Sequence, residues 1–335
     1  MKKYYILPLF VFFLTISFSQ KKKNASEELK SSDLTGLKFR SVGPAFMSGR
    51  IADIAINPNN ENEWYVAVGS GGVWKTVNSG TTWNPIADDQ PFYSTGCITI
   101  DPHNSSKIWL GTGENVGGRH VGIGHGIYVS ENGGKNWKSM GLKNSEHISK
   151  IIVSPKDPNT VFVASQGPLW SPGGERGLYR TDNGGKTWKN VLSVNEWTGV
   201  TDIAIDHNNP NILYAATWQR HRNVASYMGG GPGTSIYKST DHGISWTEIK
   251  NGLPGSNLGK IGLAISPFDS TILYAAVETD RRNGAVYKTT NSGGSWKKMS
   301  DTVSGATGPH YYQELVASPH AVSYTHLRAH ETPVN

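Results

Sequence analysis

The chain has 335 residues, a formal charge of +6, 39 glycines, 14 tyrosines and 11 tryptophans, with 17% of its residues charged. Abundant aromatics with small net charge exclude a disordered chain, and the missing Ala/Glu/Lys/Leu-rich signature excludes a long-helix protein. The single Cys97 excludes an internal disulfide framework and a multi-cysteine metal site. Six lysines against Glu27 and Glu28 place +4 within the first 30 residues. The remainder is nearly neutral and lacks the concentrated basic face that displaces counterions from nucleic acid, so no nucleic-acid partner is expected.

In chain order, Lys2 and Lys3 precede an apolar stretch from Tyr4 to Phe18, with small residues at Ser17 and Ser19. This predicts a signal peptide over residues 1–19, cleaved after Ser19, and a secreted, periplasmic or cell-surface protein. The alternative is an uncleaved anchor. The apolar run is shorter than the ~20 residues a spanning helix needs, so no stable membrane span is expected after cleavage. Residues 20–36 read as a flexible lead-in.

From residue 37 the chain repeats. The pattern Ser/Thr, any, Asn/Asp, any, Gly, any, small polar, Trp occurs at Thr76–Trp83, Ser130–Trp137, Thr181–Trp188, Ser239–Trp246 and Thr289–Trp296. Each copy follows three apolar strands separated by turns. In the first copy these are Ile51–Pro58, Trp64–Val68 and Gly72–Thr76, and the motif Trp is expected to open a fourth strand. Four antiparallel strands per ~50 residues make one blade of a β-propeller. The fold class is therefore all-β, with five complete blades and the first strand of a sixth at Tyr311–His320, cut short. Residues 321–335 depart from the pattern and read as a non-native tail.

The motif chemistry is that of a turn. Asn78, Asn132, Asn183, Asp241 and Asn291 bond their own backbone, the glycine supplies positive φ, and Trp83, Trp137, Trp188, Trp246 and Trp296 fill the wedge between blades. Four of the five turn residues are uncharged, which argues against calcium there. Cys97 opens an inner strand and reads as a buried, inert thiol.

Topology places the loops between second and third strands, and the starts of the first strands, on one face. The motif turns lie on the other. The former loops vary in length: Gly69–Gly71, Gly113–His125, Gln166–Arg176, Trp218–Gly233 and Glu278–Gly284. Variable loops on a rigid scaffold are where binding usually sits. The ligand-binding candidates on that face are Arg50, Arg119, His120, His125, His147, Trp170, Trp197, Trp218, Arg220, Arg222 and Tyr227. Such aromatics and arginines suit stacking on sugar rings or anchoring a peptide. The alternative for Trp170 and Trp218 is packing against neighbouring loops. His120 and His125 lack a third ligand at fixed spacing, so no metal is expected.

With the boxes and the Gly-Thr-Gly-Glu run at Gly111–Glu114 in hand, residues 37–320 resemble the secreted bacterial BNR-repeat (Asp-box) propellers that group with the sortilin (Vps10) N-terminal domain. They are also similar to xyloglucanase-like propellers of the sialidase superfamily. The sialidase pattern implies a Phe-Arg-Ile-Pro start and an arginine cluster. Here Phe39-Arg40 is followed by Ser41-Val42, and Arg40 and Arg50 alone make no cluster. The xyloglucanase resemblance implies inverting hydrolysis by two carboxylates across a cleft between two propellers. The second propeller is missing here, and Glu114, Glu175 and Asp280 are single catalytic candidates with nothing to pair them. The reading is a propeller module whose loop face binds an extracellular polymer or polypeptide, as in sortilin-like domains. The alternative is the N-terminal propeller of a polysaccharide-degrading glycoside hydrolase. No cofactor is expected; the ligand, complete blade number and oligomeric state stay open.

Overall fold

The computed structural model describes residues 30, 32, 35–36, 49–255, 257–280, 283–301, 314–317 and 326–327. The chain divides into Met1–Phe46 and Met47–Asn335. In the first unit, the Thr35 hydroxyl donates to the Ser32 carbonyl at 3.0 Å. Residues 1–19, where a signal peptide is expected, most of residues 20–36 and Phe39-Arg40 lie outside the described residues.

The second unit is all-β, with no α-helix among the described residues. Among the described residues, five four-stranded antiparallel sheets follow one another in a propeller arrangement. The first holds β1 (Ile51–Ile56), β2 (Trp64–Val68), β3 (Gly72–Thr76) and β4 (Asn84–Pro85). The second holds β5 (Thr95–Asp101), β6 (Asn104–Thr112), β7 (Ile127–Ser130) and β8 (Lys138–Ser139). The third holds β9 (Ile148–Val153), β10 (Val161–Ser165), β11 (Gly177–Thr181) and β12 (Lys189–Leu192). The fourth holds β13 (Thr198–Ile205), β14 (Leu213–Gln219), β17 (Ile236–Ser239) and β18 (Thr247–Glu248), with a hairpin of β15 (His221–Arg222) and β16 (Tyr227–Met228) inserted between its middle strands. The fifth holds β19 (Ile261–Ile265), β20 (Leu273–Asp280), β21 (Asn283–Thr289) and β22 (Lys297–Ser300).

The period-2 alternation of a strand decides which neighbour each side chain meets. Along β10, Val161 and Val163 pack toward the second sheet, whereas Phe162 and Ala164 pack toward the fourth. Along β14, Leu213 and Ala215 face back, and Tyr214 and Ala216 face forward. These strands are buried on both faces, which is why they read as unbroken apolar runs. The β10 core residues Val161, Phe162, Val163 and Ala164 are fully buried. Inner strands are also tied edge to edge. Asp53 Oδ2 accepts from the Ile98 N–H at 3.0 Å, Thr99 donates to the Ile151 carbonyl at 2.8 Å, and Asp202 Oδ2 accepts from the Leu263 N–H at 2.7 Å.

Every motif turn is built alike. In the first, Asn78 Oδ1 accepts from the Thr82 N–H at 2.9 Å, and Thr76 Oγ1 accepts from the Gly80 N–H at 3.0 Å. Asn132, Asn183, Asp241 and Asn291 accept in the same way from the N–H four residues on. The indole N–H of Trp137, Trp188 and Trp296 reaches the preceding sheet, at the carbonyls of Ile86, Met140 and Ile249. Trp246 instead donates to Gly243, and Trp83 packs against Trp64 at 6.4 Å. Two details differ from expectation. The Trp precedes the fourth strand rather than opening it. The residue before the turn glycine is also left-handed, at φ 55° in Ser79 and 61° in His242, so the turn needs two such residues.

Beyond the fifth sheet, β23 (Leu315–Val316) pairs with β24 (His326–Leu327), and Leu315 packs on Ala264 and Ala276. Residues 311–313, and the tail apart from 326–327, lie outside the described residues. Cys97 is buried among Trp109, Ile127 and Ile148, and burial pushes its thiol far up.

Candidate functional site

The loop face is built by three long connections that knit together. Arg220 donates to the carbonyls of Val116 at 2.8 Å and Gly167 at 3.2 Å. Arg222 donates to the Gly117 carbonyl at 3.0 Å, and its backbone N–H bonds the Leu169 carbonyl. Arg176 donates to the Gln166 and Pro168 carbonyls at 2.6 and 2.5 Å. Val116, Val121 and Leu169 form a small core with Ala52, and Tyr227 packs on it. The β15–β16 hairpin of the fourth sheet thus reaches across the third to the second.

This arrangement corrects the expectation of an open cluster. Trp218 is 1% exposed, Arg220 is fully buried, and Arg222 and His147 are buried. Trp218 lies 5.1 Å from the Arg220 guanidinium and 5.5 Å from the Lys260 ammonium. The Arg222 guanidinium lies 4.4 Å from the Tyr227 ring. The alternative of packing onto neighbouring loops holds for Trp218 and not for Trp170. Burial lowers Arg220 to about 9, Arg176 to about 10 and Lys260 to about 8. Among the described residues no carboxylate forms an ion pair with Arg176, Arg220 or Arg222. Backbone carbonyls take that place.

His147 is held well below its ordinary value, first by burial and then by the charge of Arg220. Its Nδ1 bonds the Glu114 carbonyl at 3.0 Å. Its Nε2 has no hydrogen-bond partner among the described residues.

The carboxylate candidates are engaged. Both oxygens of the buried Glu114 are held by Arg50, at 2.5 Å to Nε and 2.6 Å to the terminal nitrogen. A Cβ on Gly69 would come within 2.7 Å of Glu114 Oε1, so the β2–β3 turn demands glycine there. Glu175 Oε2 accepts from the Asn144 N–H at 2.7 Å and so caps a turn. Asp280 lies in β20, and its side chain is outside the described residues. The connection expected at Glu278–Gly284 is largely strand, since β20 and β21 pair out to Asp280 and Asn283.

Solvent reaches a different subset. Trp170 is 43% exposed. Trp197 is half-buried and packs against His221 at an interplanar angle of 45°, with ring centroids 4.1 Å apart. The Gly173 N–H bonds the Glu196 carbonyl at 2.8 Å, which ties the two tryptophan-bearing loops together. Arg119, His120 and His125 are exposed. Among the described residues no cluster of three or more His, Cys, Asp or Glu side chains has the geometry to hold a metal.

The inner strands enclose an axial cavity of about 580 Å³, lined by Asp53, Lys150, Asp202, Lys260 and Glu314. Burial raises Asp202 to about 6. Burial opposes charge on Lys150 as well, but Asp53 and Asp202 outweigh it and hold the ammonium above its usual value. None of these charges is a candidate in the sequence reading. The odd polar residue within an apolar inner strand was the available signal.

No family model matches the chain. The chain is 27% identical over 258 residues to a xyloglucanase of Hypocrea jecorina, covering 66% of this chain and 28% of that enzyme. It is 25% identical over 266 residues to a xyloglucanase of Acetivibrio thermocellus, covering 68% of this chain and 29% of that one. The chain therefore spans less than a third of the length of these relatives. The GH74 xyloglucanase structure of Xanthomonas campestris superposes with a TM-score of 0.59 at 17% identity, over 79% of this chain and 42% of that one. That likeness is one of fold. These relatives favour the polysaccharide reading over the sortilin-like one, reversing the order expected from sequence.

Proposed function

We propose that this chain is the polysaccharide-binding propeller of a secreted, xyloglucanase-like glycoside hydrolase. The observation that carries the proposal is the sequence likeness to xyloglucanases across two thirds of the chain. The exposed Trp170 and the half-buried Trp197 supply flat apolar surfaces of the kind that pack on pyranose rings. Inverting hydrolysis needs an acid and a base roughly 6.5–9.5 Å apart. Glu114 has both oxygens held by Arg50 and Glu175 has one oxygen bonded to the Asn144 N–H, and neither is brought into a facing pair of carboxylates. The described loop face is assigned to holding the substrate, with a catalytic pair completed from elsewhere.

Titration calorimetry with xyloglucan oligosaccharides tests this reading. Binding is expected, weakened about tenfold by Trp170→Ala or Trp197→Ala. Failure to bind xyloglucan or any other neutral glucan, together with capture of an extended peptide, would return the sortilin-like reading to first place.

A further inference from the structure

The axial cavity carries chemistry of its own, away from Trp170 and Trp197. Each inner strand enters from the loop face, so its end lies toward the motif face. Pro102 and His207, which follow β5 and β13, line the cavity and are exposed. The cavity therefore opens on the motif face. Hydrogen bonds span its other end. The Lys260 ammonium donates to the Asn115 carbonyl at 2.8 Å and to the Asn115 side-chain oxygen at 3.0 Å. Gln166 Nε2 donates to the same side-chain oxygen and to Thr201 Oγ1, the latter at 3.1 Å. At about 580 Å³ the cavity has room for a small ligand.

Two kinds of wall meet inside it. Ile54, Ile100, Ile205 and Ile265 line the part toward the motif face, and Ile54 is 39% exposed. Asp53, Lys150 and Asp202 come earlier in their strands and are half-buried, so the cavity reaches them. Each sits beside a register shift of its strand, and such a bulge re-aims a side chain. Asp53 accepts from the N–H groups of Ile54 and Ile98, and Asp202 from those of Ile203 and Leu263. An ionised carboxylate has about four acceptor positions, so both retain capacity for an ammonium group. Lys150 offers the opposite chemistry. Asp53 and Asp202 act on its charge, but among the described residues no hydrogen bond or ion pair holds its ammonium. Its N–H donors remain for an acceptor. Gln166 Oε1 is also buried without a hydrogen-bond partner among the described residues. Two lysine ammonium groups on one wall repel a metal ion, whereas charges of both signs suit a ligand that carries both.

We infer that the axial cavity is a binding site for a small zwitterion, an α-amino acid with an aliphatic side chain. Its carboxylate meets Lys150, its ammonium meets Asp53 and Asp202, and its side chain lies among the isoleucines. The site is independent of the glycan reading, and the test keeps the two apart. The full chain is titrated with leucine, with 3-methylbutylamine and with 4-methylpentanoate, which keep the side chain and remove one charge each. The Ile54 methyl resonances are followed throughout. Leucine is expected to bind and to shift the Ile54 signals, and each single-charge analogue to bind about tenfold more weakly. Lys150→Met is expected to weaken leucine binding about tenfold and to leave xyloglucan affinity unchanged. Ile54→Trp fills the approach from an exposed position and is expected to abolish leucine binding without lowering the melting temperature. Silent Ile54 signals in wild type at millimolar leucine overturn the site whatever the variants do. Leucine binding that survives both Lys150→Met and Ile54→Trp overturns it as well. Equal affinity for either analogue overturns the assignment to a zwitterion. A parallel loss of xyloglucan affinity in Lys150→Met overturns the role of Lys150 as a ligand contact.

Discussion

The two faces of the propeller are built by opposite rules. On the motif face one turn recurs five times, and in each copy a side-chain oxygen takes the N–H four residues on, while the Trp of three copies reaches a carbonyl of the preceding sheet. On the loop face nothing recurs. Connections from three sheets meet there, and the buried guanidinium groups of Arg176, Arg220 and Arg222 are held by backbone carbonyls. Of the nine buried polar side-chain atoms without a partner among the described residues, six lie on the loop face: Ser94, Ser145, His147, Gln166, Arg220 and Tyr227. Unpaired buried polar atoms are costly. Their concentration on one face separates the part of the molecule that satisfies itself from the part left to meet something else.

The sharpest way to break this contrast is the Arg50–Glu114 pair. Arg50→Ala leaves a fully buried carboxylate without its cation. The expected loss is about 3 kcal/mol, at the low end of the range for buried pairs because Arg50 is 41% exposed. Urea midpoints measure it, and a loss below 1 kcal/mol would mean the loops adjust freely.

Acid separates the loop face from the axis next. His147 is kept neutral when folded, so its contribution to stability is complete above pH ~6.5 and is lost as pH falls below that value. The slope approaches about 1.4 kcal/mol per pH unit. Asp202 acts oppositely. Its carboxyl titrates at about 6 when folded, against 3.8 for the ordinary group, so its protonation adds stability as pH falls through 6. Melting scans between pH 7 and 5 on His147→Gln and Asp202→Asn should move in opposite directions relative to wild type.

A motif turn offers a smaller effect. Asn183→Ala removes the acceptor of the Thr187 N–H, at an expected cost of about 1 kcal/mol. The same substitution at Asn132 should cost a similar amount if the turns are interchangeable, and chemical denaturation compares them. The smallest expected change in stability is for Trp170→Ala, within about 0.5 kcal/mol because the ring is exposed. Its effect should appear in glycan affinity alone, and a large fall in melting temperature would reassign Trp170 to structure.

The residues legible in advance were the ones governed by local rules. The motif places Asn78 and Trp83, and the apolar run Trp64–Val68 marks the strand before the third. The bounds of β2 and β3 coincide with those read from sequence. Which loop residues stay wet was not legible. Trp170 and Trp218 look alike as letters, yet one is 43% exposed and the other 1%. Trp218 is covered because Arg220 and Arg222 draw the β15–β16 hairpin onto carbonyls of two other connections more than 50 residues away.

Sequence alone therefore determined the repeat, the sheet order and the chemistry of the turns, since these depend on spacing, side-chain alternation and hydrogen bonds a few residues long. Only the tertiary structure decided which charged and aromatic loop residues are buried as staples and which face solvent. Burial there depends on contacts between connections far apart in the chain, where each desolvated guanidinium must find its carbonyls, and no local pattern encodes that match.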